Sequence, residues 1–149
     1  MVKAFTLIEI LITLALMSFF AVILFPFTIG TIRNGNLSSE SANLASAIFK
    51  IQQDAFSSEN DKAYGIRLNN TNYSILAGSD TSNLVVTESI TFPGNISISN
   101  LNLGNASNEI LFAKNNLKPN TTGNITLSNG DESYTVSINN EGLVEFQKN

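Results

Sequence analysis

The first thirty residues and the rest of the chain follow different patterns. From Phe5 to Gly30 the sequence is FTLIEILITLALMSFFAVILFPFTIG, apolar almost without a break and with Glu9 as its one charge. A run of about 26 residues spans ~39 Å as a helix, against a hydrocarbon core of about 30 Å, so it predicts a membrane-crossing helix. After Gly30 the chain turns polar at Arg33-Asn34-Gly35-Asn36. Helical spacing then resumes. Leu37, Leu44, Ile48, Ile51 and Ala55 fall on one face, with Ser39, Glu40, Asn43, Lys50 and Asp54 largely elsewhere. This predicts one long interrupted helix from Phe5 to about Phe56.

Beyond the polar linker Ser57-Ser58-Glu59-Asn60-Asp61-Lys62 the period switches to two. Tyr64, Ile66 and Leu68 alternate with Gly65 and Arg67, and Tyr73 and Ile75 follow across Asn69-Asn70-Thr71-Asn72, the pattern of a hairpin. Further strands are predicted at Leu84–Thr87, Ile90–Phe92, Ile96–Leu101, Ile110–Ala113, Asn124–Leu127, Tyr134–Ile138 and Leu143–Phe146. Asn129-Gly130-Asp131 is a strong turn signal between two of them. A long helix followed by many strands predicts the α+β class: a transmembrane and stalk helix followed by an antiparallel β-sheet head. The expected divisions are residues 1–4, the apolar helix 5–30, the amphipathic stalk 31–56 and the β-rich head 57–149.

Composition narrows the chemistry. The chain has 149 residues, no Cys and no His, and a formal charge of −4. Disulfides, thiolate metal sites, Cys nucleophiles and a Ser-His-Asp triad are therefore excluded. The acidic residues are scattered, and the sparse Lys and Arg argue against nucleic acid as a partner, since phosphate affinity rests on those side chains. Glu59, Asn60, Asp61, Asp80, Asp131 and Glu132 lie in polar linkers or turns without the spacing of a calcium loop. No metal, no cofactor and no enzymatic role is expected. Asn-x-Ser/Thr triplets such as Asn95-Ile96-Ser97 are common, as chance dictates in so Asn-rich a chain.

Glu9 carries the functional information. A carboxylate at membrane depth costs on the order of 2.5–3.5 kcal/mol even on lenient insertion scales, and such groups are usually paired. The run contains no Lys or Arg. A partner is therefore expected outside it, on another molecule, unless the carboxylate simply reaches the membrane edge. Lys3 on the short flank predicts a cytoplasmic N-terminus and an external head. A cleaved secretory signal fits less well: the run is long and ends in Phe25-Pro26-Phe27-Thr28-Ile29-Gly30, with no Ala-x-Ala-like site. Pro26 removes a helix hydrogen bond and Gly30 adds local freedom. Together they predict a kink, or else mark the outer end of a membrane helix.

Lys3-Ala4-Phe5-Thr6-Leu7-Ile8-Glu9 resembles the processing motif of type IV prepilins and type II secretion pseudopilins. The resemblance implies removal of a short basic leader by a prepilin peptidase between Ala4 and Phe5, then N-methylation of Phe5. The family usually has Gly before the cut; Ala4 is also small, so cleavage is expected. It further implies that the Glu9 carboxylate of one subunit meets the Phe5 amine of a neighbour, and that Pro26 sits where pilin helices often carry a proline. Across the head the chain is more loosely similar to minor pseudopilins of the GspH/FimT type, over Ala42–Leu68 with Tyr73-Ser74-Ile75 and over Gly123–Val144.

The resemblance implies a structural subunit, minor rather than major, of a type IV pilus-like filament or a type II secretion pseudopilus. Its partners would be other pilin or pseudopilin subunits, the prepilin peptidase, an inner-membrane assembly platform and, before assembly, the lipid bilayer. The alternatives are a tip pilin that binds for adhesion or DNA uptake, and a single-pass anchor with no assembly role.

Overall fold

A computed structural model describes residues 7–20, 36–57, 61–104 and 106–149, together with the helical backbone of 21–35. The backbone is helical over Leu7–Ser57 (α1). Packing divides the chain into Met1–Gly35 and Asn36–Asn149.

The second unit is built on the 36–57 part of α1. Leu37, Leu44, Ile48, Ile51 and Ala55 are all buried, as their spacing predicts. Eight strands follow: β1 Ala63–Leu68, β2 Asn72–Gly78, β3 Leu84–Thr91, β4 Ser97–Leu103, β5 Glu109–Phe112, β6 Gly123–Ser128, β7 Ser133–Ile138 and β8 Val144–Lys148. They form two four-stranded sheets, ordered β3-β2-β1-β5 and β4-β6-β7-β8, and every pairing is antiparallel.

The fold class expected from the sequence is corrected on two counts. In place of one antiparallel sheet there are two, and the architecture is a small, β-rich, two-sheet fold. In place of one long N-terminal helix forming a single body, α1 is divided between two units, and its side chains are described over 7–20, a stretch of 14 residues, and 36–57. The physical reason is the same for both. Periodicity reports which face of an element is apolar, but not which neighbour that face will meet. The segments Leu84–Thr87 and Ile90–Phe92 are likewise not two strands but the single strand β3. Thr87 interrupts the pairing with β2 as a bulge, its Oγ1 donating to the Ile75 carbonyl at 3.1 Å.

Local chemistry accounts for the turns. Between β1 and β2 the Asn69 amide donates to the Asn72 carbonyl at 2.9 Å, and the two side chains meet at 2.7 Å. Between β6 and β7, Asn129 Oδ1 accepts from the amides of Asp131 and Glu132 at 3.0 and 2.9 Å, while Gly130 takes a φ of 93°. That φ is one L-residues avoid. Asn and Gly are needed here for different reasons, one to cap and one to bend.

The core lies between the helix and the two sheets of this unit. Ile48 and Ile51 from the helix, Ile66 and Phe112 from the first sheet, and Ile125 and Val136 from the second belong to one buried cluster. Ile48→Ala is expected to cost about 2–5 kcal/mol, the range for deleting a buried aliphatic side chain that leaves a cavity. Urea unfolding of the full chain in detergent checks it; a loss below ~1 kcal/mol would place Ile48 outside the core.

Candidate assembly surface

Two features stand out as surfaces with something to do: the apolar stretch 7–20, and the edges of the two sheets. Every residue of 7–20 is exposed. Leu7, Met17 and Phe19 are 78, 72 and 63% accessible, and Ile8, Leu11 and Phe20 exceed half. These side chains surround the helix rather than forming a stripe. A helix apolar all round is normally covered, by lipid or by other helices.

Its polar side chains are few. Thr13 Oγ1 donates to the Ile10 carbonyl and Ser18 Oγ to the Leu14 carbonyl, each at 2.9 Å. Both hydroxyls are thus satisfied by their own helix and place no demand on an apolar partner. Glu9 lies in the first turn, where the helix N-terminus favours a negative charge. Among the described residues no helix is long and apolar enough to cross a membrane.

Of the residues expected to serve processing, assembly and the kink, Glu9 alone has a described side chain. Ala4 and Phe5, the expected processing residues, lie outside the described residues, as do the side chains of Pro26 and Gly30, the expected kink. The carboxylates of the head are not brought together; among the described residues no group of three potential metal ligands occurs. Asp61 pairs with Lys114 at 3.0 Å and Glu132 with Lys148 at 2.6 Å. Asp80 caps its own turn, accepting from the amides of Ser82 and Asn83 at 2.7 and 3.1 Å. The Ser82 bond leads in holding its carboxyl below the usual range, because these bonds favour the charged form. Glu59 and Asn60 lie outside the described residues.

The concavities of the head are shallow. The largest described, about 470 Å³, lies along β8 beside Val144, Phe146 and Gln147. Another, about 270 Å³, is lined by Asn120, Thr121, Thr122 and Asn140; Thr121 Oγ1 is buried and makes no hydrogen bond there. Neither gathers a nucleophile with a base.

Sequence reasoning passed over two groups. Gln52 is 5% exposed on the inner face of the helix, and its Nε2 donates to the carbonyls of Leu117 and Gly142 at 2.7 and 3.0 Å. Its position four residues after Ile48 was the available signal. The second group is β3, whose residues 85–89 are exposed on both faces, with Val85 and Val86 at 65 and 51%. Comparison of the chain with family models, with curated proteins and with solved structures found no match.

Proposed function

We propose that this protein is a structural subunit, of the minor kind, of a type IV pilus-like filament or type II secretion pseudopilus. It is made as a membrane-anchored precursor with a cytoplasmic N-terminus and an external head, cleaved between Ala4 and Phe5 and N-methylated at Phe5. It then assembles with other pilin or pseudopilin subunits through its apolar N-terminal segment. One observation carries the reading. A carboxylate, Glu9, stands in the first turn of a stretch exposed and apolar on all sides, shortly after the sequence Lys3-Ala4-Phe5.

The energetics support it. A helix surface that leaves lipid for a bundle of like helices gains nothing from hydrophobicity, since lipid is as apolar as leucine. Packing and polar pairs then set the register. A carboxylate and an amine in a low-dielectric bundle attract strongly, while either one left without the other is costly. Subunits packed out of register are penalised accordingly. The hydroxyls of Thr13 and Ser18 bond to carbonyls of their own helix and so add little to the choice among packings.

Mass spectrometry of the mature protein tests the processing step. In cells with an active prepilin peptidase, the expected N-terminus is methylated Phe5. An intact Met1 would favour a simple membrane anchor and defeat the proposal. The alternative of a tip pilin that binds DNA or a surface draws no support from charge: the head carries few cations, and Arg67, Lys114, Lys118 and Lys148 are each paired with a carboxylate.

A further inference from the structure

The hollow bounded by Gly104, Pro119, Asn120, Thr121, Thr122 and Asn140 contains a buried hydroxyl with nothing to bond. Three segments meet there: the end of β4, the connection from β5 to β6, and the turn from β7 to β8. Thr121 is 6% exposed, yet its Oγ1 has no hydrogen-bond partner. An unbonded buried hydroxyl is costly and calls for an explanation. Valine has nearly the same shape and would avoid the cost. The space over Gly104 leads to this hydroxyl. A methyl group on Gly104 would stand 3.7 Å from Thr121 Oγ1 and 3.6 Å from the Thr122 carbonyl oxygen, in ordinary contact with both. A ligand oxygen settled about 1 Å deeper would reach hydrogen-bond distance.

The other polar groups of the hollow are uncommitted too. Among the described residues the side chains of Thr122 and Asn140 make no hydrogen bond, and Asn120 uses its Oδ1 alone, accepting from the Leu111 amide at 2.8 Å. The walls are fixed. The Gly104 amide donates to the Thr122 carbonyl at 2.8 Å, Gln52 ties Leu117 to Gly142, and Lys118 pairs with Glu141 at 3.1 Å. A site held in place this way loses little to ordering when it binds. No charged side chain lines it. An anion would find no cation there, and a metal ion no carboxylate. The volume, about 270 Å³, lies just below the range of about 300–1,000 Å³ for drug-sized ligands, so the occupant is small. Threonine hydroxyls and asparagine amides each offer both donor and acceptor. A neutral ligand with several adjacent hydroxyls answers them, and a sugar ring is that ligand.

We infer that this hollow is a binding site for one neutral sugar ring, free or at the end of a glycan, held by the Thr121 hydroxyl and the uncommitted groups of Asn120, Thr122 and Asn140. The site lies wholly in the head and stands whether or not the apolar segment assembles a filament.

Thermal unfolding of the full chain in lauryldimethylamine oxide, a detergent without a sugar head group, tests it. The probes are the methyl glycosides of glucose, galactose, mannose, fucose and N-acetylglucosamine. At least one is expected to raise the midpoint by roughly 4–8 °C when present near tenfold above its Kd. A tetrasaccharide of the responding sugar then separates the sources: a larger shift at equal ring concentration marks a glycan, an equal one a free sugar. Thr121→Val and Gly104→Ala are each expected to abolish the response, the first by removing the hydroxyl and the second by filling the space before it. Without sugar, Thr121→Val is expected to hold or raise the midpoint, since it removes an unbonded polar group. A fall in that midpoint would mean that the hydroxyl already bonds a fixed water, and overturns the inference. So does no response to any of the five glycosides. An equal rise in the native chain and both variants is general stabilisation by an excluded solute, and overturns it as well.

Discussion

Glu9→Ala is expected to leave the protein in the membrane and out of the filament. The substitution removes the one charge from the apolar run and so makes insertion easier. In the assembled bundle it has the opposite effect. The cationic chain end created at Phe5 of a neighbouring subunit would then be buried without an anion. Removing one partner of a buried ion pair costs about 3–5 kcal/mol, equivalent to a fall in incorporation on the order of 100-fold or more. Glu9→Gln keeps the size and most of the hydrogen-bonding capacity but not the charge, and is expected to fail nearly as badly. The measurement is the ratio of filament-associated to membrane-associated protein. Filament yield from Glu9→Ala equal to that of the native chain would sink the pairing, even if the mature N-terminus is methylated Phe5.

Gly142→Ala is expected to have the largest effect on the head. Gly142 has a φ of +82°, a conformation that costs an L-residue roughly 1–2 kcal/mol. A Cβ there would also fall well inside van der Waals contact of Gln52 Nε2 and of the Leu117 carbonyl. The same Gln52 amide joins the helix to the Leu117 and Gly142 carbonyls, one from each of two loops. Displacing it leaves buried polar groups unsatisfied, at about 1–3 kcal/mol each. Together these effects reach on the order of 3–5 kcal/mol, a large part of the 5–15 kcal/mol that holds a typical domain. Gln52→Glu removes the donors while keeping the shape, and is expected to lose most of the same amount. Thermal unfolding of the full chain in detergent reads both. A change in midpoint of only ~1–2 °C for Gly142→Ala would show that the clamp contributes little.

The contrast between Gln52 and its neighbours shows how much could be read in advance. Leu37, Leu44, Ile48, Ile51 and Ala55 declare a buried face by spacing alone, and each is at most 1% exposed. Gln52 belongs to the same buried surface, yet its polarity hides it, because its two acceptors lie 65 and 90 residues further along the chain. The turn at Asn129-Gly130-Asp131 was legible because its chemistry is local: one side-chain oxygen, two following amides and one glycine φ. That β3 and β8 are edge strands was not legible. An edge exists only once the order of strands is known.

Residue pattern alone was enough for the apolar N-terminal run with its lone carboxylate, the inner face of the second helical stretch, and most of the strands and their turns. These depend on contacts a few residues apart or on periods of 3.6 and 2, which a single chain displays directly. The folded chain was needed to show that the strands divide into two sheets rather than one, that β3 is one strand with a bulge, and that Gln52 clamps two distant loops. Those outcomes come from pairings between segments far apart in the chain. Many alternative pairings satisfy the same alternation, and packing of the whole unit selects among them.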